Sequence, residues 1–216
     1  MGVDLGTQSL KVVIFDASQK CELSNASQAL DLIARDDGSR EQLAQWWLDA
    51  FHSCLESLPA AHKAAVCAIA VSGQQHGFVP VSELGDVLAP VKLWCDTATV
   101  VECESISEAA GGEQACRTLG GNTIAAGFTA SKILWLKNNK PQAYAQMTSV
   151  MLPHDYLNFY LTGQRAMEYG DASGTGLLNV HERRWSEELI QAVDTDRNLL
   201  ACFPELLDAN EVLGRL

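Results

Sequence analysis

The first 32 residues of the chain alternate short β-rich segments with tight turns, and this pattern most restricts the folds open to the chain. An apolar strand over residues 1–6 runs into a Gly-Thr-Gln-Ser turn, and residues 12–16 are again rich in β-branched side chains. Residues 18–20 form a second turn, after which residues 21–32 can supply a third strand. The sequence therefore predicts that the fold opens with a three-stranded β-meander.

Strand and helix patterns alternate after the meander. Ser39 and Gln42 match an S-x-x-Q capping box, and apolar residues at helical spacing follow, which predicts a helix of about four turns. The apolar run 66–71 predicts a buried strand, and residues 91–94 predict another. Further helices are expected at 98–110, at 129–138, at 153–162 with Gly163 as its stop, and at 186–194 with Ser186 as its N-cap. The pattern indicates a mixed α/β fold, in which ligands gather where strand ends meet loops.

Composition narrows the classes of function. The 216 residues carry 15 Lys and Arg against 27 Asp and Glu, a formal charge of −12, which disfavours nucleic acid and anionic membrane surfaces as partners. No segment approaches the roughly 20 apolar residues of a membrane span, and the N-terminus lacks a signal-peptide pattern. Seven cysteines occur without a C-x-x-C motif, and some, such as Cys54 and Cys67, lie in apolar periodic runs. We expect reduced thiols, a cytoplasmic protein and no cysteine metal site.

The turn after the first strand has the residues of a phosphate-binding loop. Gly6 lets the backbone approach an anion closely, Thr7 and Gln8 add side-chain donors, and Lys11 supplies a positive charge where the chain re-enters the sheet. Asp4 has the same sign as phosphate, so it fits beside one only if Mg²⁺ or a water lies between them. A plain polar β-turn is the alternative, and the D-x-G-T pattern by itself does not exclude it.

Three further segments extend this pattern to a family resemblance. Residues 4–11 resemble the first phosphate loop of the superfamily of actin, heat-shock-70 proteins and sugar kinases. Residues 127–136, GFTASKILWL, resemble the signature of the FGGY carbohydrate kinases. Residues 72–77, SGQQHG, are similar to the G-Q-x-H-G segment of the xylulose kinases within that family. Residues 168–175, EYGDASGT, also resemble a segment of the xylulose kinases. The resemblance covers residues 1–216 and matches the first of the family's two domains.

The resemblance implies a fold and an activity. The fold would be an actin-like ATPase or ribonuclease H-like domain, with helices packed on a mixed sheet. The activity would be ATP-dependent phosphorylation of D-xylulose to D-xylulose 5-phosphate, with ATP and Mg²⁺ as cofactors. The family's catalytic base lies in a Gly-Gly-Gly-Asp segment of a C-terminal nucleotide-binding domain, which residues 1–216 lack. The Gly-Gly pairs at 111–112 and 120–121 precede Glu113 and Asn122 instead. We therefore expect this domain alone to bind sugar weakly and to phosphorylate nothing measurable.

The resemblance also assigns candidate site residues. Gln75 and His76 would bind the ketose, since a neutral His and an amide can match sugar hydroxyls. Trp94 and Asp96 would form a second side of the pocket, although Trp94 is equally compatible with a core position. Asp4 would act through Mg²⁺, and Gly6, Thr7, Gln8 and Lys11 would bind phosphate.

Other prominent residues receive no chemical role from the sequence. Lys132 and Trp135 are expected on a helix, with the lysine in solvent. Asp171 is not expected to be the base, and His52, His62, His154 and His181 are expected to be surface or structural residues.

Alternative functions remain open. Kinases for ribulose, gluconate or glycerol would share the architecture, and a non-catalytic sugar-binding remnant would share the sugar segment. A structural actin-like ATPase would use the loop at 4–11 without the Gln-Gln-His cluster. The expected partners are a ketose, ATP and the protein's own C-terminal domain. A homodimer is also expected if an apolar face is left exposed.

Overall fold

A computed structural model describes residues 1–215. The fold is built on a four-stranded sheet with the strand order β3-β2-β1-β6. The strands β1 (Gly2–Leu5), β2 (Ser9–Asp16) and β3 (Cys21–Ala29) pair antiparallel in sequence order, and β6 (Ala70–Gly73) pairs parallel with β1. The predicted meander is confirmed, except that its third strand ends at Ala29.

The remaining elements extend the fold away from this sheet. The other strands are β4 (Ile33–Ala34), β5 (Arg40–Gln42), β7 (Val79–Val81), β8 (Val91–Lys92), β9 (Ser149–Met151), β10 (Ala166–Glu168), β11 (Leu178–Asn179), β12 (Arg184–Trp185) and β13 (Glu205–Leu207). The helices are α1 (Ala44–Ser57), α2 (Ala60–Ala64), α3 (Val100–Ala109), α4 (Glu113–Gly120), α5 (Thr129–Asn139), α6 (Pro141–Gln146), α7 (Pro153–Thr162), α8 (Tyr169–Ser173) and α9 (Glu187–Val193), with a 3₁₀ turn at Leu199–Cys202.

Two large apolar cores and a smaller cluster around Leu152 and Met167 hold these elements together. In the first, α1 packs on one face of the meander, where Trp47 and Phe51 meet Leu5 and Leu10. In the second, α3, α5, α6 and α9 pack around residues such as Ile133. The meander face opposite α1 is open, and Asp4 and Lys11 are exposed on it. No helix within residues 1–215 has both the length and the apolar character needed to cross a membrane.

Helix positions agree with the sequence predictions where local signals set them. The four predicted later helices correspond to α3, α5, α7 and α9. Gly163 ends α7 in the left-handed conformation at φ +72°, and the Ser186 hydroxyl caps α9 by accepting a hydrogen bond from the Leu189 amide.

The predicted capping box is wrong. Ser39 precedes β5 and Gln42 ends it, and α1 starts at Ala44 without a side-chain cap. The Gln42 side chain is unavailable for capping because it bonds to the Thr7 carbonyl and to the Gln74 side chain, both distant in sequence. The strand predicted at 66–71 is also misplaced: β6 starts at Ala70 and is partly exposed, and the preceding Cys67 is exposed. It lies at the edge of the sheet, with β1 as its one partner among the described strands.

Candidate active site

The two loops that the sequence singled out leave the same edge of the sheet. Leu5 lies opposite Gly73 in the parallel β1–β6 pair, so both strands end together. The Gln74 amide donates to the Leu5 carbonyl at 2.8 Å, and the Thr7 hydroxyl donates to the Gln74 side-chain oxygen at 3.3 Å. The phosphate-loop candidate and the sugar-segment candidate are therefore joined by direct hydrogen bonds.

The Gln42 side chain bonds to both loops. The sequence analysis did not identify Gln42 as a site residue. Its side-chain nitrogen donates to the carbonyls of Thr7 at 2.9 Å and Asp31 at 2.8 Å. Its side-chain oxygen accepts a hydrogen bond from the side-chain NH₂ group of Gln74 at 3.1 Å and from the Trp47 indole at 3.0 Å. A buried glutamine with every bond used in this way is a rigid connector.

The candidate phosphate loop is a tight turn on the open face of the sheet. The Gly6 amide donates to the Ser9 carbonyl at 3.1 Å, which closes the turn. Asp4 pairs in register with Lys11 on one side and Ser72 on the other, so these three side chains lie on one face. Gln8 is exposed beside them. The arrangement leaves a carboxylate and an ammonium group accessible on the open face of the sheet.

Trp94 is a surface residue of this site and not a core residue. The residue is 50% exposed, and its indole nitrogen donates to the Thr7 hydroxyl at 2.9 Å. Asp96 behaves in the opposite way, since it is fully buried. Its carboxylate accepts hydrogen bonds from the Arg40 amide at 2.8 Å, the Ala98 amide at 3.1 Å and the Lys92 ammonium at 2.9 Å. With these partners the Asp96 carboxylate does not reach a ligand, contrary to the expected sugar contact.

His76 stands in a strained turn. Its φ is +61°, and the Gly77 amide donates to the Gln75 carbonyl at 2.8 Å, which defines a γ-turn centred on His76. A γ-turn with positive φ is rare and costs energy for a residue that has a side chain. Such a turn persists only where its surroundings hold it, so the groups around His76 become part of the site.

Lys132 and Thr129 hold the His76 backbone. The Lys132 ammonium donates to the carbonyls of His76 and Gly127, both at 2.7 Å, and the Thr129 hydroxyl donates to the His76 carbonyl at 3.3 Å. Lys132 is 0% exposed, and burial lowers its pKa to about 7. The prediction of a solvent-exposed lysine is therefore wrong, because the carbonyls of two loops replace water around its ammonium group.

The ring of His76 is fixed by the segment that follows β10. Its Nδ1 lies 2.7 Å from the Gly174 carbonyl oxygen, and the ring lies 4.9 Å from the ring of Phe128. A carbonyl can only accept, so Nδ1 carries the proton and Nε2 of the neutral ring is an acceptor. Burial lowers the pKa of His76, which favours this neutral form. The His76 ring thus offers Nε2 as a hydrogen-bond acceptor to a hydroxyl group.

Gly174 and Asp171 are support residues that the sequence analysis did not identify. A Cβ at Gly174 would lie 2.5 Å from the His76 ring, so only glycine permits this contact. Asp171 lies in the short helix that Gly174 caps, and one of its carboxylate oxygens lies 2.9 Å from Nε2 of the buried His154. The 168–175 segment therefore contacts the ring of His76 directly.

Comparison with known proteins places this geometry in a family. The model of the FGGY family of carbohydrate kinases, N-terminal domain, matches residues 1–216. A xylulose kinase of Haemophilus influenzae is 36% identical over 221 residues, covering 99% of this chain and 45% of that protein. A xylulose kinase of Lactococcus lactis subsp. lactis is 33% identical over 217 residues, covering 99% of the chain and 42% of that protein.

Comparison with solved structures supports the same family. The crystal structure of a protein from Brucella ovis, described as a xyloylose kinase, superposes with a TM-score of 0.91 at 33% identity, covering 100% of this chain and 44% of that one. The chain thus spans somewhat less than half the length of its relatives. Its fold is the actin-like ATPase fold, and the chain belongs to the FGGY family of carbohydrate kinases, whose N-terminal domain it matches along its whole length.

Proposed function

We propose that the chain is the sugar-binding domain of an ATP-dependent kinase that phosphorylates D-xylulose to D-xylulose 5-phosphate. The observation that carries the proposal is the geometry of His76: its Nδ1 is bonded to the Gly174 carbonyl, which leaves Nε2 as the acceptor of the ring, and the residue follows the exposed Gln75 at the sheet edge where the loop at residues 6–8 also lies. The names of the relatives at 33–36% identity support the choice of sugar.

Each site residue has a part in this proposal. His76 accepts a hydrogen bond from a ketose hydroxyl, and Gln75 offers both a donor and an acceptor. The half-exposed ring of Trp94 provides an apolar wall for the C–H groups of the sugar. Gly6 lets the loop approach the phosphate end of the nucleotide closely, the backbone amides of Thr7 and Gln8 and the Gln8 side-chain amide donate to it, and Lys11 supplies the ammonium charge. Asp96 is left out because its carboxylate is fully used in the interior.

The residues present are compatible with Mg²⁺ bound together with a nucleotide. Among residues 1–215 no group of three or more His, Cys, Asp and Glu side chains could hold a metal ion. Mg²⁺ bound with nucleotides commonly keeps several waters and takes only one or two protein carboxylates. Asp4, exposed on the open face, would hold Mg²⁺ directly or through water, and the ion would neutralise charge on the transferred phosphoryl group.

The remaining parts of the reaction belong to the rest of the protein in this proposal. The relatives are more than twice as long as the span they share with this chain. We assign the adenosine site and the catalytic base to a C-terminal domain. Closure of that domain over Trp94 and His76 would exclude water and so limit ATP hydrolysis. The seven unpaired cysteines support a cytoplasmic location, and light scattering would test the expected homodimer.

A substrate panel tests the proposal. The complete gene product is supplied with MgATP and with D-xylulose, D-ribulose, gluconate or glycerol, and ADP release is followed in a coupled assay. We expect the highest kcat/KM with D-xylulose and no turnover by residues 1–216 alone. Activity confined to gluconate or glycerol would contradict the sugar assignment. Sugar binding without turnover by the complete protein would favour the non-catalytic alternative.

A further inference from the structure

A continuous chain of hydrogen bonds joins the half-exposed Trp94 to the buried Trp47. The Trp94 indole nitrogen lies 2.9 Å from the Thr7 hydroxyl, which lies 3.3 Å from the Gln74 side-chain oxygen. The Gln74 side-chain nitrogen lies 3.1 Å from the Gln42 side-chain oxygen, and that oxygen lies 3.0 Å from the Trp47 indole nitrogen. The chain of bonds therefore runs from the surface of the site through the candidate phosphate loop into the interior.

The direction of each hydrogen bond in this chain follows from its buried end. An indole N–H can only donate, so the atom of Gln42 that faces Trp47 is the side-chain oxygen. The Gln42 nitrogen accordingly donates to the carbonyls of Thr7 and Asp31. Because the Gln42 oxygen can only accept, Gln74 directs its NH₂ group at Gln42 and its oxygen at Thr7. The Thr7 hydroxyl must therefore be the donor to Gln74.

This direction commits the single proton of the Thr7 hydroxyl. A hydroxyl group has one O–H donor and two acceptor positions. The donor is directed at Gln74, and one acceptor position receives the N–H of Trp94. In this arrangement the hydroxyl has no donor left for a phosphate oxygen, and a contact of Thr7 with phosphate falls to its backbone amide.

The same bond determines the rotation of the Trp94 side chain. The backbone at Trp94 packs closely on Gly127, where an added Cβ would lie 2.7 Å from the Trp94 carbonyl oxygen. The residue is nevertheless half exposed, so its ring has fewer packing contacts than a core residue has. With the backbone fixed, the hydrogen bond from the indole to Thr7 is the contact that selects one orientation of the ring.

We propose that the Thr7 hydroxyl is a positioning group for sugar binding: it orients the Trp94 ring toward the ketose and does not donate to the nucleotide. The proposal rests on the proposed function in taking Trp94 as a wall of the sugar site. Loss of the hydroxyl is therefore expected to weaken binding of the sugar and to leave binding of MgATP nearly unchanged.

Steady-state kinetics of the complete gene product tests this expectation with two substitutions of Thr7. Thr7→Val removes the hydroxyl at nearly constant shape, and Thr7→Ser keeps it. We expect Thr7→Val to raise the KM for D-xylulose about fivefold and the KM for MgATP less than about twofold, as for the loss of one hydrogen bond. Thr7→Ser should recover most of the ketose affinity. Thr148→Val is the matched control, since Thr148 is exposed and precedes β9 in a separate sheet.

A double-mutant cycle with Trp94→Phe shows whether Thr7 acts through Trp94. Trp94→Phe keeps an aromatic face but lacks the indole N–H, so it should also raise the ketose KM. If both residues act through one bond, the double variant should be no worse than Trp94→Phe alone, whereas independent effects would multiply. Multiplied effects would overturn the proposal, as would a Thr7→Val protein with a raised MgATP KM and an unchanged ketose KM. If Thr7→Val does not fold, a wild-type ketose KM in Trp94→Phe would overturn it equally.

A readout without turnover separates this proposal from the proposed function. The complete protein is labelled with 5-fluorotryptophan, and the ¹⁹F signal of Trp94 is identified as the one missing from Trp94→Phe. Without ligands, this signal should move toward that of free 5-fluorotryptophan in Thr7→Val and keep its position in Thr7→Ser. If the wild-type protein phosphorylates no ketose, the proposed function fails, and the ¹⁹F signal still decides whether Thr7 orients the ring. A Trp94 signal at the wild-type position in folded Thr7→Val would show that it does not.

Discussion

Gly174→Ala isolates the contact between the 168–175 segment and the His76 ring. A Cβ at this position would lie 2.5 Å from Cε1 and 2.6 Å from Nδ1 of the ring. Carbon atoms in ordinary contact stay about 3.5–4.0 Å apart, so the ring must move by roughly 1 Å. Gly174 has φ −71°, a conformation that alanine adopts without strain. The substitution therefore acts on the ring and not on the backbone.

The cost of this movement can be worked from the bonds it breaks. The hydrogen bond from Nδ1 to the Gly174 carbonyl contributes about 1 kcal/mol, and a misdirected Nε2 loses a ligand bond of similar size. A total of about 2 kcal/mol corresponds to a roughly 30-fold lower kcat/KM for the ketose. Stability should change little, since replacing glycine near a helix end with alanine gains up to about 1 kcal/mol and offsets the lost bond.

Steady-state kinetics of the complete gene product checks this expectation. Gly170→Ala is the control, because it lies in the same short helix and the three atoms nearest to its new methyl group belong to the flexible side chain of Glu168 and not to His76. We expect a loss of ketose kcat/KM in Gly174→Ala alone, with similar thermal unfolding in both variants. A Gly174→Ala protein with wild-type ketose kcat/KM would refute the idea that the His76 ring contacts the sugar from its observed position.

Three further predictions concern Lys132, His154 and the metal. Lys132→Met removes the ammonium donor to the carbonyls of His76 and Gly127, and His76 keeps only the weaker bond from Thr129, so urea unfolding should show a loss of about 2 kcal/mol and the ketose KM should rise; a more stable variant would argue against the clamp. Against the effect of burial, the carboxylates of Asp155 and Asp171 raise the folded-state pKa of His154 from 6.5 to about 10, so its stabilising contribution is complete below pH 6.5 and is lost as the pH rises toward 10. The difference in unfolding free energy between wild type and His154→Gln should therefore shrink by on the order of 4 kcal/mol over this range. The titration of Lys132 is common to both proteins and cancels in this difference. A difference independent of pH would show that His154 is uncharged. Chelation of Mg²⁺ should abolish phosphoryl transfer but preserve the change in Trp94 fluorescence on ketose binding, whereas loss of both signals would place the metal in the sugar site.

Sequence reasoning succeeded for elements whose signals are local. The meander follows from strand-forming residues separated by short turns, and the ends of α7 and α9 follow from Gly163 and Ser186. The short strands were not predictable in this way. β7 and β9 are three residues each and exist because Val79 pairs with Met151, a long-range contact that no local pattern encodes. The false capping box has the same origin, since Gln42 bonds to residues distant in sequence.

The residues of the candidate site also fall into two groups, those with a local sequence signal and those placed by long-range contacts. Thr7, Gln75 and His76 lie in short segments at strand ends, where residue type and position suggest a ligand. The support residues could not be inferred from their own surroundings. A lysine on a helix is normally solvated. Lys132 can be buried because its ammonium group donates hydrogen bonds to the carbonyls of His76 and Gly127. Likewise, one of the two carboxylates that pair with His154 is Asp171, 17 positions away by the residue numbers; the other is the adjacent Asp155.

The placement of Lys132 and Thr129 gives a physical reason for the 127–136 segment to mark a family and not a substrate. Both side chains donate to the backbone carbonyl of His76, so they stabilise the strained γ-turn whatever side chains the turn carries. A change of sugar requires different side chains at 75 and 76 but the same backbone path. We therefore expect that exchanging these two residues can alter substrate preference while Lys132 and Thr129 stay essential, because the clamp acts on the main chain and the selection of substrate acts through the side chains.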